Sequence, residues 1–309
     1  MVKCSFCANY KVVYFQRFSS RFFCKKCFIA YVERKVAKYL KAEGILQRGE
    51  RVAVGFSGGK DSFALLNVLS TLDLDLNLVV ITIDEGILGY RDTYLAYIRE
   101  LCQQRNIEYH LHSLYDEYKV TIDDIAKYDL KYCTYCGVLR RVLLNKKARE
   151  LNATKIAIGH NLDDELQTYF LNILRGNTDR FMRVGTFYPA RSPKFVQKIK
   201  PLRMFLEKEV LLYSVLVGYR LSEKKCPLAH TAMRNDIRNF LDQIESRRAG
   251  TKKVACRSLD KLSKQLFANT SPVEIGECSR CAEPSSKALC KACELVSTIE
   301  QLKKSDVNR

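Results

Sequence analysis

The sequence VAVGFSGGKDS at residues 52–62 is an apolar, strand-like run that breaks into glycines and ends in Lys-Asp-Ser at the start of a helical stretch. A loop between such a strand and helix can turn consecutive backbone N–H groups toward one point, with the positive end of the helix behind them. Ser57 and Ser62 add hydroxyls, and Lys60 adds a positive charge. Gly58 and Gly59 allow positive φ and close approach of the backbone. The stretch predicts a phosphate-binding loop.

Asp61 lies inside this loop, where a carboxylate would repel phosphates unless Mg²⁺ lay between them. The Walker A pattern Gly-x-x-x-x-Gly-Lys-Ser/Thr cannot be fitted to GFSGGKDS. The segment SGGKDS resembles instead the pyrophosphate loop of the N-type ATP pyrophosphatases, which adenylate a carbonyl oxygen and release pyrophosphate. The alternative is an ordinary glycine-rich turn, but the ungapped match after a short apolar strand favours the nucleotide loop.

The pattern downstream of residue 51 alternates between strand-like and helical stretches. Short apolar runs lie at residues 52–56, 77–83, 107–111, 154–159 and 195–202. Helical patterns lie at residues 61–71, 91–105, 136–151, 163–175, 207–217 and 234–243, whereas residues 246–270 are polar and predict a surface connection. This alternation predicts an α/β fold with a parallel sheet, whose ligands bind beyond the carboxyl ends of the strands. SGGKDS, Asp84-Glu85-Gly86 and Gly159-His160-Asn161 all fall at such ends.

Composition limits the class of protein. With 309 residues and 47% hydrophobic content, the chain can form one large or two medium domains. No stretch approaches the roughly 20 apolar residues of a membrane span, and the start MVKCSFC lacks a hydrophobic signal region, so we expect a cytoplasmic protein without a membrane partner. The net charge of +18 favours a nucleic-acid partner over a merely solvated basic surface. The basic stretches at residues 34–41 and 234–253 are the predicted contacts.

Thirteen cysteines in a reducing compartment indicate metal binding rather than disulfides. Each end of the chain has two CxxC pairs, and each set of four has the spacing of a structural zinc site: Cys4, Cys7, Cys24 and Cys27, then Cys278, Cys281, Cys290 and Cys293. A redox role for these pairs is the weaker alternative. We therefore predict zinc modules at residues 1–30 and 266–309, on either side of a catalytic domain at residues 31–265.

Five cysteines remain inside the catalytic domain. Cys102 has the surroundings of a core residue, and Cys256 has no partner in the sequence. Cys133-x2-Cys136, which precedes a helical pattern, can be completed by Cys226. Three cysteines can hold a [4Fe–4S] cluster and leave the fourth iron open, but a third zinc ion on these cysteines and His230 is an alternative that spacing leaves open.

Several motifs together resemble the TtcA/TtuA family of tRNA 2-thiolation enzymes over nearly the whole chain. They are SGGKDS, DEGILGYRD at 84–92, CTYCGVLRR at 133–141, GHNLDDE at 159–165, LRGN at 174–177 and ECSRCAEPSSKALCKAC at 277–293. The two terminal cysteine modules make the chain most similar to the archaeal and eukaryotic enzymes of the wobble uridine. The T-loop uridine of thermophiles is the alternative substrate within the family.

The resemblance implies a mechanism. ATP binds with its pyrophosphate on residues 57–62 and its adenine near Gly55 and Ile83, and the C2 oxygen of uridine attacks the α-phosphate. Sulfide on the open iron of a cluster held by Cys133, Cys136 and Cys226 then replaces the adenylated oxygen; after air exposure the cluster would appear as [3Fe–4S]. Asp84 and Gly159 complete the nucleotide site, and the catalytic set comprises the three cysteines, Asp61, Arg140 and Asp164.

Two of these residues have specific expected roles. Arg140 lies one helical turn after Cys136, where it could neutralise phosphate, and Asp164 either caps a helix or acts on a proton. The implied partners are tRNA, a sulfur donor (sulfide, a persulfide or a thiocarboxylated ubiquitin-like carrier) and a second copy of the chain. The rival functions are an ATP-dependent ligase with an amine nucleophile, which would leave the inner cysteines without a task, and a non-enzymatic zinc-ribbon RNA-binding protein.

Overall fold

The computed structural model describes residues 2–42, 44–90, 92–128, 130–185, 192–220, 226–228, 233–270 and 275–307. The chain begins with an antiparallel hairpin of β1 (Val12–Gln16) and β2 (Arg21–Cys24), which places the first two cysteine pairs together. Helix α1 (Lys25–Ala42) follows directly. Its buried side chains recur every four residues, Phe28, Val32, Val36 and Leu40, so one apolar stripe faces the core.

The central part of the chain is built on a parallel sheet of the strands β3 (Arg51–Gly55), β4 (Asn77–Asp84), β5 (Glu108–Ser113), β6 (Lys155–Ala157) and β7 (Gln197–Ile199). The strands lie in the order β5-β4-β3-β6-β7, and every neighbouring pair is parallel. The central strands are continuous apolar runs, as expected for a sheet covered by helices on both faces. The predicted α/β class is confirmed.

The helices between the strands are α2 (Lys60–Ser70), α3 (Asp92–Gln104), α4 (Leu114–Tyr118), α5 (Ile122–Ala126), α6 (Tyr132–Glu150), α7 (Leu162–Leu174) and α8 (Thr178–Phe181). After β7 follow α9 (Glu207–Leu216), α10 (Met233–Arg247) and α11 (Thr251–Ala268). Helix α6 begins earlier than predicted, so Cys133 and Cys136 lie within its first turns rather than before it. None of the described helices has the length and apolar character needed to cross a bilayer.

The expectation of a surface connection at residues 246–270 is wrong, because α11 occupies most of that segment and packs against α7. Its buried face consists of Lys252, Cys256 and Ser263 rather than of large apolar residues. Lys252 is paired with Asp163 and Asp242. The helix therefore buries polar groups that find partners across the interface, and a search for apolar periodicity misses it.

The second cysteine module contains the short strands β8 (Gly276–Glu277) and β9 (Pro284–Ser285) and helix α12 (Lys291–Val307). It packs against α6, and its buried cysteines share one apolar cluster with Leu139 and Leu143. Arg149 of α6 donates to Glu283 and to the backbone carbonyl of Lys194. The predicted boundaries at residues 30 and 265 fall inside α1 and α11.

Candidate functional site

The glycine-rich loop connects β3 to α2. Gly58 has φ +83°, and a Cβ atom there would lie 2.8 Å from the Tyr94 ring, so glycine is required for both conformation and space. Gly59 has φ −78° and is the N-cap of α2, so it does not adopt the positive φ that glycine allows. The hydroxyl of Ser62 donates to the Gly59 carbonyl at 2.8 Å. The loop is thereby tied to the first turn of the helix.

A cavity of about 320 Å³ opens at the carboxyl ends of β3, β4 and β6, and we call it the central cavity. Predicted nucleotide-site residues from all three strand ends line it: Gly55, Ser57, Asp61, Ser62, Ile83 and Gly159. A Cβ atom on Gly159 would lie 2.9 Å from the backbone of Asp61. The third strand end thus approaches the glycine-rich loop so closely that a side chain is excluded between them.

Lys60 points away from the central cavity. Its Nζ atom lies 2.8 Å from Asp61 Oδ2 and 3.1 Å from Glu207 Oε1, and it lines a neighbouring cavity. These two carboxylates raise the pKa of Lys60 against the opposing effect of burial. In this conformation the lysine charge is already neutralised by the protein.

Asp61 and Asp164 both line the central cavity. Burial raises the pKa of each carboxyl, and the Asp164 charge raises that of Asp61 further. Asp164 accepts from the backbone N–H of Asn161 at 3.2 Å, which completes the predicted cap of α7. Mg²⁺ binds to proteins through one or two carboxylates together with substrate phosphates, so this pair fits a magnesium ion.

Arg140 has a partner that the sequence did not suggest. Its Nη1 atom lies 2.7 Å from Oε1 of Glu85, a fully buried carboxylate that follows β4 and lines the central cavity. Glu85 stands next to the predicted Asp84, whose own side chain accepts from the Gly86 N–H at 2.9 Å and shapes the turn. From the sequence, Glu85 could have been identified as a site residue only by its position at the end of a predicted strand.

The three inner cysteines lie close enough to interact: the Cys226 thiol helps raise the pKa of both Cys133 and Cys136, although burial is the larger cause. Within the described ranges, sets of metal-ligating side chains with all ligand atoms within 4.8 Å occur at the two terminal modules, and the inner cysteines do not form such a set. Ligands of one zinc ion lie about 4 Å apart, whereas the thiolates of a cluster bind separate irons and are wider apart. The inner thiols are therefore not gathered around one point as zinc ligands are, and a set of three thiols is a donor set that suits a [4Fe–4S] cluster. His230, the fourth ligand of the zinc alternative, lies outside the described residues.

A larger cavity of about 1110 Å³ lies beside the central cavity, and we call it the basic cavity. Cys133 lines it, and both cavities share Arg141 and His160. Burial and nearby cations lower the pKa of His160 to about 4, so its imidazole is neutral at pH 7. The remaining basic side chains that line it are Lys131, Arg175, Arg180, Arg183, Lys200, Arg234 and Lys291.

The basic stretches predicted for RNA contact are only partly at this cavity. Arg234 lines it, but Lys252 is buried against Asp163, and Lys253 lies 3.3 Å from the buried Glu209. These lysines therefore hold α11 in place. Arg175, Arg180 and Arg183 were missed because they are scattered after α7 rather than clustered.

The terminal modules have the geometry of closed four-cysteine metal sites. In each, all four Sγ atoms lie within 4.8 Å of one another. The Cys7–Cys24 and Cys281–Cys290 sulfur distances are 3.6 and 3.7 Å, close to the roughly 3.8 Å edge of a tetrahedral site with Zn–S bonds of about 2.3 Å. The donor set and spacing fit zinc at both ends.

Cys102 is buried, as predicted, and Cys256 is buried as well. Cys102 packs in the same apolar cluster as Ile98. Burial raises the pKa of Cys102 to about 11 and that of Cys256 to about 12. Both thiols are therefore un-ionised at neutral pH.

Comparison with known proteins agrees with this arrangement. Residues 29–244 match the family model of the PP-loop domain. The chain is 36% identical to the cytoplasmic tRNA 2-thiolation protein 1 of Danio rerio, over 96% of this chain and 88% of that protein. It is 32% identical to the tRNA 2-thiolation protein NcsA of Haloferax volcanii, over 97% and 99% of the two chains.

A solved structure is similar over almost the full length. It is the U34-tRNA thiolase NcsA of Methanococcus maripaludis with its [4Fe–4S] cluster, which matches with a TM-score of 0.82 at 30% identity and covers 96% of both chains. The glycine-rich loop, the parallel sheet order and these full-length matches agree. The chain therefore belongs to the PP-loop family, within its group of tRNA 2-thiolation enzymes of the NcsA type.

Proposed function

We propose that this protein replaces the C2 oxygen of the wobble uridine of tRNA by sulfur in an ATP-dependent reaction in the cytoplasm. The observation that carries the proposal is the junction of the two cavities at Arg141 and His160, because it connects the predicted nucleotide site to a basic space that contains Cys133. A base bound at this junction would be within reach of both ATP and the cysteines. The U34-tRNA thiolase of Methanococcus maripaludis supports the choice of the wobble position.

The central cavity would bind ATP. Its apolar wall of Ile81, Ile83, Leu144 and Ile158 suits an adenine ring, and the glycine-rich loop suits the pyrophosphate. Asp61 and Asp164 would hold Mg²⁺ on the phosphates. The C2 oxygen of uridine then forms a bond to the α-phosphorus, pyrophosphate leaves with the electron pair of the broken bond, and the N3 proton of the base passes to water.

Cys133, Cys136 and Cys226 would hold a [4Fe–4S] cluster by three irons. When bound, the cluster would supply an open iron at which sulfur can be presented to the activated C2 carbon; as C2 gains its bond to sulfur, its bond to the adenylated oxygen breaks and AMP leaves. The protein's own contribution is placement, since α6 carries two of the ligands on the wall of the cavity that the base enters. Holding two reactants at one place is where an oriented site contributes most. Sulfide or a thiocarboxylated carrier protein would fit as donor, and a persulfide would fit together with a thiol that reduces the S–S bond.

The experiment that tests the function is mass spectrometry of tRNA nucleosides from a strain lacking the gene. We expect 2-thiouridine derivatives to disappear from the wobble position and to return when the wild-type gene is supplied. Loss of 2-thiolation from the T-loop uridine alone would identify the alternative substrate and refute the wobble assignment. Unchanged thiolation at both positions would refute the function itself.

The basic cavity leads to a prediction about tRNA affinity. Lys and Arg side chains that contact phosphates release condensed counterions, so the logarithm of the association constant should fall linearly with the logarithm of salt concentration. We expect Arg180→Met to lower affinity and to reduce the magnitude of the slope by about 1. The control is Arg48→Met, since Arg48 lies on the surface and pairs with Asp75. Equal slopes for wild type and Arg180→Met would remove this residue from the interface.

The terminal modules lead to a second prediction. We expect two zinc ions per chain, one in each four-cysteine set, measured by elemental analysis of folded protein. Because a small metal-bound module loses its folding energy with the ion, Cys278→Ser should remove one zinc ion and lower the melting temperature by at least about 5 °C. Folded wild-type protein with fewer than two zinc ions would contradict this assignment.

A further inference from the structure

The cations around the central cavity are not equivalent. Arg140 pairs with Glu85, and Lys200, which lines the adjoining basic cavity, lies 2.7 Å from Glu165 Oε1. Arg141 and Lys198 also line the central cavity. Among the described parts of the chain, neither of these two side chains has a hydrogen-bond or ion-pair partner.

The two unpaired side chains differ in exposure: Lys198 is half-buried, whereas Arg141 is exposed at the junction of the two cavities. Burial is the largest cause lowering the pKa of Lys198 to about 8, and the charge of Arg141 lowers it further. A partly buried charge is normally paired, because removing an ion from water costs free energy that a counter-charge or hydrogen bonds offset. Two neighbouring cations that face one cavity without counter-charges are therefore suited to an anionic ligand.

The position of the pair indicates which anion. Arg141 comes from α6 and Lys198 from β7, whereas the glycine-rich loop follows β3. A nucleotide with its pyrophosphate on that loop and its adenine on the apolar wall has one remaining charged group, the α-phosphate. Arg140 is less suited to this group, because Glu85 neutralises its charge.

We propose that Arg141 and Lys198 bind the α-phosphate of the nucleotide, and hence the AMP moiety of the adenylated base, while the glycine-rich loop binds the pyrophosphate. The proposal rests on the proposed function for the identity of the nucleotide. Since Arg141 also lines the basic cavity, the bound α-phosphate would face the site at which the uridine enters. The pair thus supplies positive charge where negative charge develops during phosphoryl transfer.

Calorimetric binding to the holoenzyme tests the assignment without tRNA. The ligands are AMP, adenosine and pyrophosphate, and the variants are Lys198→Met and a control, Lys155→Met, whose lysine pairs with Glu50 at the opposite end of the sheet. Because a charge-assisted hydrogen bond contributes about 1.5–3 kcal/mol, Lys198→Met should weaken AMP binding roughly ten- to hundred-fold. Adenosine and pyrophosphate should bind within about two-fold of wild type.

The different ligands and variants distinguish a lost α-phosphate contact from a damaged pocket. AMP affinity of Lys198→Met equal to wild type would overturn the proposal, and so would an equal loss for adenosine, since that reports a damaged pocket. Lys198→Arg keeps the charge and should restore most of the AMP affinity. Because none of these measurements uses tRNA, they remain informative even if nucleoside analysis refutes the wobble uridine as substrate.

The pH dependence gives an additional readout. Protonated Lys198 binds the anion, so wild-type AMP affinity should fall as pH rises through about 8, whereas Lys198→Arg should keep its affinity there. The other titratable groups of the central cavity are carboxyls and the His160 imidazole, which ordinarily titrate well below pH 8: Asp61, Glu85, Asp164 and His160. The neighbouring Lys200 is held by Glu165. An identical alkaline decline in both proteins would exclude Lys198 as its origin.

Discussion

Cys136→Ala should abolish tRNA thiolation and remove the iron, while AMP binds within about two-fold of wild type. The physical reason is that a cluster with three protein ligands loses one of them, whereas the nucleotide rests on strand ends and not on the cysteines. Protein purified under nitrogen should be brown, and air should convert the exposed cluster to a [3Fe–4S] form that electron paramagnetic resonance detects. Cys133→Ala and Cys226→Ala should behave alike.

Cys102→Ala provides the matched control, because Cys102 is a buried thiol of the apolar core. It should retain iron and thiolation even if its stability is lower. His230→Ala separates the two metal models, since it should leave a three-cysteine cluster but would remove a zinc ion held by three cysteines and a histidine. A colourless anaerobic protein with three zinc ions, one of which is lost with His230, would refute the cluster.

Asp61→Asn should reduce tRNA-dependent pyrophosphate release roughly a thousand-fold, because a metal held on the phosphates contributes several kcal/mol to the transition state. The substitution keeps the shape of the side chain and removes only the charge that would bind Mg²⁺. Lys60 retains Glu207 as a partner, so the loop should remain folded. Pyrophosphate release and far-UV circular dichroism measure the two effects.

The carboxylates of Asp61 and Asp164 predict that activity declines at the acidic end of its pH profile. Burial raises the pKa of Asp61 and Asp164, and a protonated carboxyl cannot bind Mg²⁺. Activity should therefore fall with decreasing pH at values above those at which an exposed carboxyl titrates, and added Mg²⁺ should shift the decline to lower pH. The control, Asp75→Asn, alters an exposed carboxylate that pairs with Arg48 and should leave the rate unchanged. A wild-type rate in Asp61→Asn would remove Asp61 from the mechanism.

The sequence was sufficient for the class of fold and the location of the nucleotide site. Strand and helix periodicity are local properties, and parallel strands bring their carboxyl ends to one edge of the sheet. Three separate motifs therefore had to meet, and Gly55, Asp61 and Gly159 do line one cavity. The two terminal four-cysteine metal sites could also be predicted from the sequence, because the two ligands of a CxxC pair are close together in the chain.

What the sequence by itself determined was thus the parallel sheet, the phosphate loop, the two four-cysteine sets and the family. Only the tertiary structure decided the charge state of the site: Arg140 is neutralised by Glu85, while Arg141, its neighbour in sequence, lines the cavity with Lys198. It also decided that residues 251–268 form a helix, since the buried Lys252 is compatible with the interior only because Asp163 and Asp242 meet it. Such pairings join residues far apart in the chain, so no local pattern encodes them, and the energy of a buried charge depends on the partner that the fold brings to it.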